Sequence, residues 1–126
     1  MTRPARHRIA WIAGMTVLAL QCAARAEDQF KMLDEKQIRA RVVGNDITDG
    51  PHWSMYLRSD GKLISAESGS TWTGSWKIRN GKLCITLPGN SSLECHEVWM
   101  SGANIRMRAS KDEQTFEALV AKHRGN

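Results

Sequence analysis

The chain has 126 residues, 41% of them hydrophobic and 25% charged, and its 18 Lys and Arg outweigh 13 Asp and Glu to give a formal net charge of +5. This balance excludes a disordered or low-complexity chain, and the length is that of one domain. Beyond the N-terminal leader described next, no basic patch with interleaved aromatics argues for a nucleic-acid partner: Arg106 and Arg108 with Lys111 are the densest positive group there, and such groups are ordinarily solvated strand faces.

The first 26 residues have the three regions of a secretory signal peptide. Arg3, Arg6 and Arg8 precede an uncharged apolar run from Ile9 to Leu20, and Ala24-Arg25-Ala26 is a small-x-small cleavage site ahead of Glu27. The run is short for a membrane span, so the membrane is expected to matter only during export. Cys22 would serve a lipoprotein, but Gln21 is a poor neighbour for that cleavage. Four basic residues (Arg3, Arg6, Arg8, Arg25) and none of the 13 acidic ones leave with the leader. The mature chain, residues 27–126, is then nearly neutral at +1, and it is bound for the periplasm or the exterior. It keeps two cysteines, Cys84 and Cys95, an even pair in an oxidising compartment, which predicts a disulfide. Closing so short a loop stabilises by about 3 kcal/mol in the chain-entropy account.

Glu27 to Val43 is the one helical candidate of the mature chain, completing an N-terminal unit over residues 27–45. Phe30, Leu33, Gln37, Ile38 and Val42 share a face, Asp34, Glu35, Lys36 and Arg39 lie opposite, and Gly44-Asn45 ends the pattern. Such a helix at the edge of a β domain is expected to be a lid or plug. From Asp46 to the C-terminus, residues 46–126, the chain alternates turns with short strands. Asp49-Gly50-Pro51, Ser59-Asp60-Gly61, Ser68-Gly69-Ser70, Ser101-Gly102-Ala103-Asn104 and Lys111-Asp112-Glu113 punctuate runs at 53–58, 62–66, 71–73, 105–109 and 115–121.

The most informative stretch is Gly74 to Trp99. Asn80-Gly81 between alternating runs predicts a type I′ hairpin, because both central residues of that turn need positive φ. Centring the hairpin there sets Ile78 opposite Leu83 and Trp76 opposite Ile85, with the apolar side chains on one face. A second turn at Pro88-Gly89-Asn90-Ser91 admits two registers. A two-residue loop sets Cys84 across from Cys95 but puts Glu94 and His96 on the face of Leu83 and Ile85. A one-residue bulge would put Leu93 and Cys95 there instead, and it is preferred because it buries fewer polar groups.

Seven or eight strands at intervals of about ten residues, with connections too short for crossover helices, predict a mainly β fold. The expected form is an antiparallel meander closing into a barrel or half-barrel, which removes exposed edges. The succession of a helix ending in Gly44-Asn45, then Trp53-Ser54-Met55-Tyr56, Asp60-Gly61, Gly74-Ser75-Trp76-Lys77-Ile78, Leu83-Cys84 and Cys95 resembles a group of small exported bacterial proteins of uncharacterised function. More distantly, Gly74-x-Trp76 in a meander is similar to lipocalin-like barrels and to small barrel-shaped inhibitors of secreted bacterial metalloproteases.

No phosphate loop, Gly-x-Ser-x-Gly, His-Glu-x-x-His or calcium loop is present. An enzyme would have to assemble His52, His96 or His123 with Asp60, Glu94 or Glu97 from scattered positions. His52, Met55, Met100, Met107 and His96 are of the type that suits copper, but nothing spaces them as a motif, and strand methionines usually fill cores. No metal or other cofactor is therefore expected. The aromatic residues are the better candidates: in an open barrel Trp53, Tyr56, Trp72, Trp76 and Trp99 would line an apolar cleft with Arg58 or His96 as polar anchors. The expectation is thus a non-catalytic binding module for a small apolar ligand or an exported protein, with an inhibitor or accessory subunit of an exported enzyme as the alternative.

Overall fold

The computed structural model describes Thr2 and residues 29–89, 92–110 and 115–125. The leader apart from Thr2, its cleavage site, Cys22, Asn90, Ser91 and the turn at 111–113 lie outside the described residues.

Among the described residues nine strands and one helix follow in order: β1 (Lys31–Met32), α1 (Glu35–Arg41), β2 (Asn45–Thr48), β3 (Trp53–Leu57), β4 (Lys62–Glu67), β5 (Ser70–Arg79), β6 (Lys82–Thr86), β7 (Glu94–Ser101), β8 (Asn104–Arg108) and β9 (Phe116–Lys122). Strands β2 to β9 form an antiparallel meander in which each pairs with its chain neighbour, and β2 also pairs with β9. The sheet therefore closes into an eight-stranded barrel of the lipocalin-like kind with no free edge. The extra strand β1 lies outside this ring. It continues the line of the short β6 along β7, with Lys31 opposite Met100, Met32 opposite Trp99, and the Leu33 N–H donating to the Val98 carbonyl at 2.8 Å.

The helix is shorter than the amphipathic pattern from Glu27 suggested. The Asp34 side chain accepts from the Gln37 backbone N–H at 2.8 Å, and the Gln37 side chain accepts from the Asp34 N–H at 2.9 Å, a capping box that starts α1 at Glu35. The residues before it satisfy their backbone groups on β7 instead. A seven-residue helix is too short to stand alone, and packing holds it. Leu33, Ile38 and Val42 are buried in the core cluster, where each side chain contributes roughly 1.5–3 kcal/mol of burial. Arg41 donates to the Gly102 carbonyl at 2.8 Å, and Gly44 to the Leu57 carbonyl at 2.7 Å, fastening the plug to two hairpins at the same end.

The β5–β6 hairpin has the expected register, with Ile78 opposite Leu83 and Trp76 opposite Ile85. Asn80 at φ 53° and Gly81 at φ 73° supply the two positive angles of its turn. Gly74 is required for a different reason. A Cβ there would stand 2.3 Å from the Thr86 carbonyl oxygen, so β5 and β6 pass too closely for any side chain. Ser68 and Gly69 form a tight two-residue turn, also with positive φ, which lets β5 run unbroken for ten residues where separate short strands were anticipated. Strand β2 was hidden in the sequence behind the helix stop at Gly44-Asn45.

The preference for a bulge between β6 and β7 is corrected. Cys84 lies directly opposite Cys95, their sulfurs bonded at 2.03 Å, while Leu83 faces His96 and Ile85 faces Glu94. The bulge was invoked to keep Glu94 and His96 out of the interior. That cost is small here because the inward face of β7 at these residues belongs to the open end of the barrel, where Glu94 is exposed and His96 half-buried.

Candidate functional site: the open mouth of the barrel

The helix and the hairpins at 58–61, 80–81 and 102–103 occupy one end of the barrel. The other end has no such plug among the described residues. Inward-facing side chains there surround a cup of about 210 Å³ walled by Met55, Ile85, Leu87, Met107 and Phe116, with Glu94 and His96 as its polar groups. Alternation on the strands places them. Met55 lies between outward Ser54 and Tyr56, Ile85 between Cys84 and Thr86, and Met107 between Arg106 and Arg108, so each apolar residue reaches inward.

Trp53 stands at the rim, its ring 5.1 Å from that of Phe116 at a tilt of 41°. The turn that delivers it is well ordered. One Asp49 carboxylate oxygen accepts from the backbone N–H groups of His52 and Trp53 at 2.9 and 3.0 Å, and the Thr48 hydroxyl donates to the Trp53 carbonyl at 2.6 Å. Desolvation would raise the Asp49 carboxyl, but those two N–H groups and the His52 ring at 2.9 Å together hold it below the usual value.

His96 is the unusual member of the cup. Its Nδ1 is buried with no hydrogen-bond partner, which leaves the ring's polar requirement unmet by the protein. No hydrogen bond joins it to Glu94, its neighbour two positions back on the same face of β7. The histidines that do contact carboxylates are elsewhere. His52 meets Asp49 on an exposed turn, and His123 meets Asp46 at 2.8 Å on the outer wall, its ring stacked on Tyr56 with centroids 3.5 Å apart. Neither pair lies in the cup.

The residues expected to form the cleft are thus spread over the molecule. His96 lines the cup and Trp53 borders it. Trp72 is half-buried on the inward face of β5, opposite Ser65. Trp76 belongs to the packed core, its Nε1 donating to the Arg58 carbonyl at 2.7 Å. Arg58 itself pairs with Asp60 at 2.7 Å at the plugged end. Tyr56 and Trp99 face outward. Of the soft donors, Met55, Met107 and His96 share the cup, whereas Met100 is core and His52 lies on the turn. Among the described residues no three His, Cys, Asp or Glu side chains group as a metal site.

Trp99 belongs to a second, exterior cleft of about 220 Å³ with Phe30, Arg106, Arg108 and Thr115. Its two guanidiniums differ: Arg106 is hydrogen-bonded, whereas the buried Nε of Arg108 has no hydrogen-bond partner. Arg106 donates from Nε to Glu117 at 2.5 Å and lies 3.9 Å from the centre of the Phe30 ring, while Arg108 reaches Glu97 at 3.6 Å and lies over Trp99. A broader trough of about 710 Å³ continues this surface toward the Asn80-Gly81 turn, with Met32 exposed along it.

Sequence reasoning named His96 but missed Met55, Ile85, Leu87, Met107, Phe116 and Glu94 as cup residues. The signal that could have found them was the less favoured of the two registers, since Cys84 opposite Cys95 already turns Glu94 and His96 toward Ile85 and Leu83. Comparison of the chain with family profiles, with curated proteins and with solved structures finds no match.

Proposed function

We propose that the protein is a non-catalytic binding module, exported to the periplasm or beyond, whose barrel mouth takes up a small apolar ligand. The observation that carries this reading is the asymmetry of the barrel. Apolar side chains of the helix pack into one end, while at the other they wall a cup whose histidine has a buried Nδ1 without a hydrogen-bond partner. Export is supported by the leader sequence and by the Cys84–Cys95 disulfide, a bond that persists in oxidising compartments. The resemblance to small exported bacterial proteins points to the same compartment.

The test is expression of the full-length coding sequence in a bacterium, followed by purification from the periplasmic fraction. The N-terminus of that product is expected at Glu27. Calorimetric titration with propylbenzene, one ring with a short tail, is expected to give saturable binding that Met55→Trp or Met107→Trp abolishes by filling the cup. Binding insensitive to both substitutions, or recovery of one stoichiometric protein partner with no small molecule, would count against the reading.

A further inference from the structure

The lining of the cup restricts what it can hold, and we infer that its ligand is a compact molecule with no anionic group that bears a hydroxyl, with the hydroxyl seated between His96 and Glu94. This inference rests on the reading of the mouth as a ligand site and adds the chemical class.

The volume comes first. A cavity of about 150 Å³ accommodates benzene, so about 210 Å³ suits one ring with a short substituent, and the open rim tolerates a protruding tail. Charge comes second. Glu94 is the one carboxylate in the lining, and no Lys or Arg accompanies it. A carboxylate, sulfate or phosphate would meet a like charge with no counter-ion beside it, so fatty acids and other anions are disfavoured.

The hydrogen-bond pattern comes third. The Nδ1 of His96 is enclosed without an acceptor, and an orphaned N–H is harder to accommodate there than an under-used lone pair. The tautomer that follows carries its proton on Nε2, the nitrogen that is not enclosed. The cup therefore offers one N–H donor from His96 and, two residues back on the same face of β7, a carboxylate acceptor from Glu94. A hydroxyl fits both at once, accepting from Nε2 and donating to Glu94. A pure hydrocarbon leaves both unanswered.

Three matched probes test this in the periplasmic protein: 4-propylphenol, propylbenzene and 4-propylbenzoate, with affinities measured by calorimetric titration at neutral pH. The phenol is expected to bind about tenfold tighter than the hydrocarbon, the difference one good hydrogen bond makes, and the benzoate more weakly than either. His96→Phe should bring the phenol down to the level of propylbenzene while leaving propylbenzene bound. Glu94→Gln should restore part of the benzoate affinity. Equal binding of phenol and hydrocarbon, or tightest binding of the benzoate, overturns the hydroxyl assignment but leaves the cup as a ligand site. Absence of binding by all three, in a protein whose near-ultraviolet circular dichroism shows it folded, overturns both.

Discussion

The two ends of this barrel are built from the same eight strands and reach opposite outcomes. At the plugged end, Leu33, Ile38 and Val42 descend from the N-terminal segment onto Leu57, Leu63, Leu83 and Ile105, and every one of these side chains is buried. At the mouth, the corresponding inward positions hold Met55, Leu87, Phe116, Glu94 and His96, and no helix covers them among the described residues. Phe116 remains 40% exposed there, whereas Ile38 at the far end is fully buried. The apolar packing is thus concentrated at one end and the other is left open, the division that the proposed ligand site requires.

The sharpest way to break this comparison is to remove one apolar side chain from each end. Ile38→Ala leaves a closed cavity beneath the helix and is expected to cost about 2–5 kcal/mol, lowering the melting temperature by on the order of 10 °C or more. Phe116→Ala leaves no closed cavity, since its site already opens to water, and should cost about 1 kcal/mol. Urea unfolding of both variants gives the ratio directly. Equal losses would mean that the mouth is packed as tightly as the base.

Removing the disulfide comes next in size. Cys84→Ser with Cys95→Ser should cost about 3 kcal/mol, measured as the displacement of the urea midpoint, and reduction of the native protein should match it. Because Cys95 sits between Glu94 and His96, the same variant should also loosen the polar side of the cup and weaken probe binding. Loss of stability with unchanged binding would show that the strands hold the mouth without the cross-link. Gly74→Ala is expected to cost about 1–3 kcal/mol, because the added methyl meets the backbone oxygen of Thr86 rather than a movable side chain. The same methyl reaches the backbone of Leu87, a wall of the cup, so probe affinity should fall along with stability.

How much of this was legible in the sequence follows from which forces act locally. The Asn80-Gly81 turn was readable because positive φ is a property of those two residues, and the register of Trp76 and Ile78 followed from it. Closure was readable from the spacing of turns. The extent of α1 was not, because Phe30 and Leu33 satisfy a helical period and a strand on β7 equally well, and only the Asp34–Gln37 cap together with the backbone of β7 decides between them. Strand β2 was missed because its four residues have almost no pattern of their own and are recruited by β3 and β9 on either side. The register of β7 was misjudged for a physical reason of wider use. Burial was assumed to be uniform along a barrel strand, whereas an inward residue near a mouth can be polar at little cost. Of the cleft residues, His96 was legible as a polar side chain near an apolar run. Tyr56 and Trp99 were assigned to the cleft on aromatic character alone, before strand parity could turn them outward.

The smallest expected effect is also the most telling, because its sign is reversed. A buried ring nitrogen without a partner is a cost the folded protein bears, of the order of 1 kcal/mol in proteins where such groups have been replaced by apolar ones. His96→Leu removes the orphaned Nδ1 and extends the wall formed by Ile85 and Met107, so it should raise stability by up to about 1 kcal/mol while it removes the preference for a hydroxyl-bearing probe. No substitution at the plugged end should behave in this way, since the apolar side chains there are already satisfied. Thermal unfolding of the variant beside the native protein, each with and without 4-propylphenol, separates the possibilities. A variant that is more stable alone but gains less from the probe marks His96 as kept for binding at the expense of stability. A variant that is destabilised would mean that the histidine makes its hydrogen bonds within the fold, and that the mouth is one more part of the core.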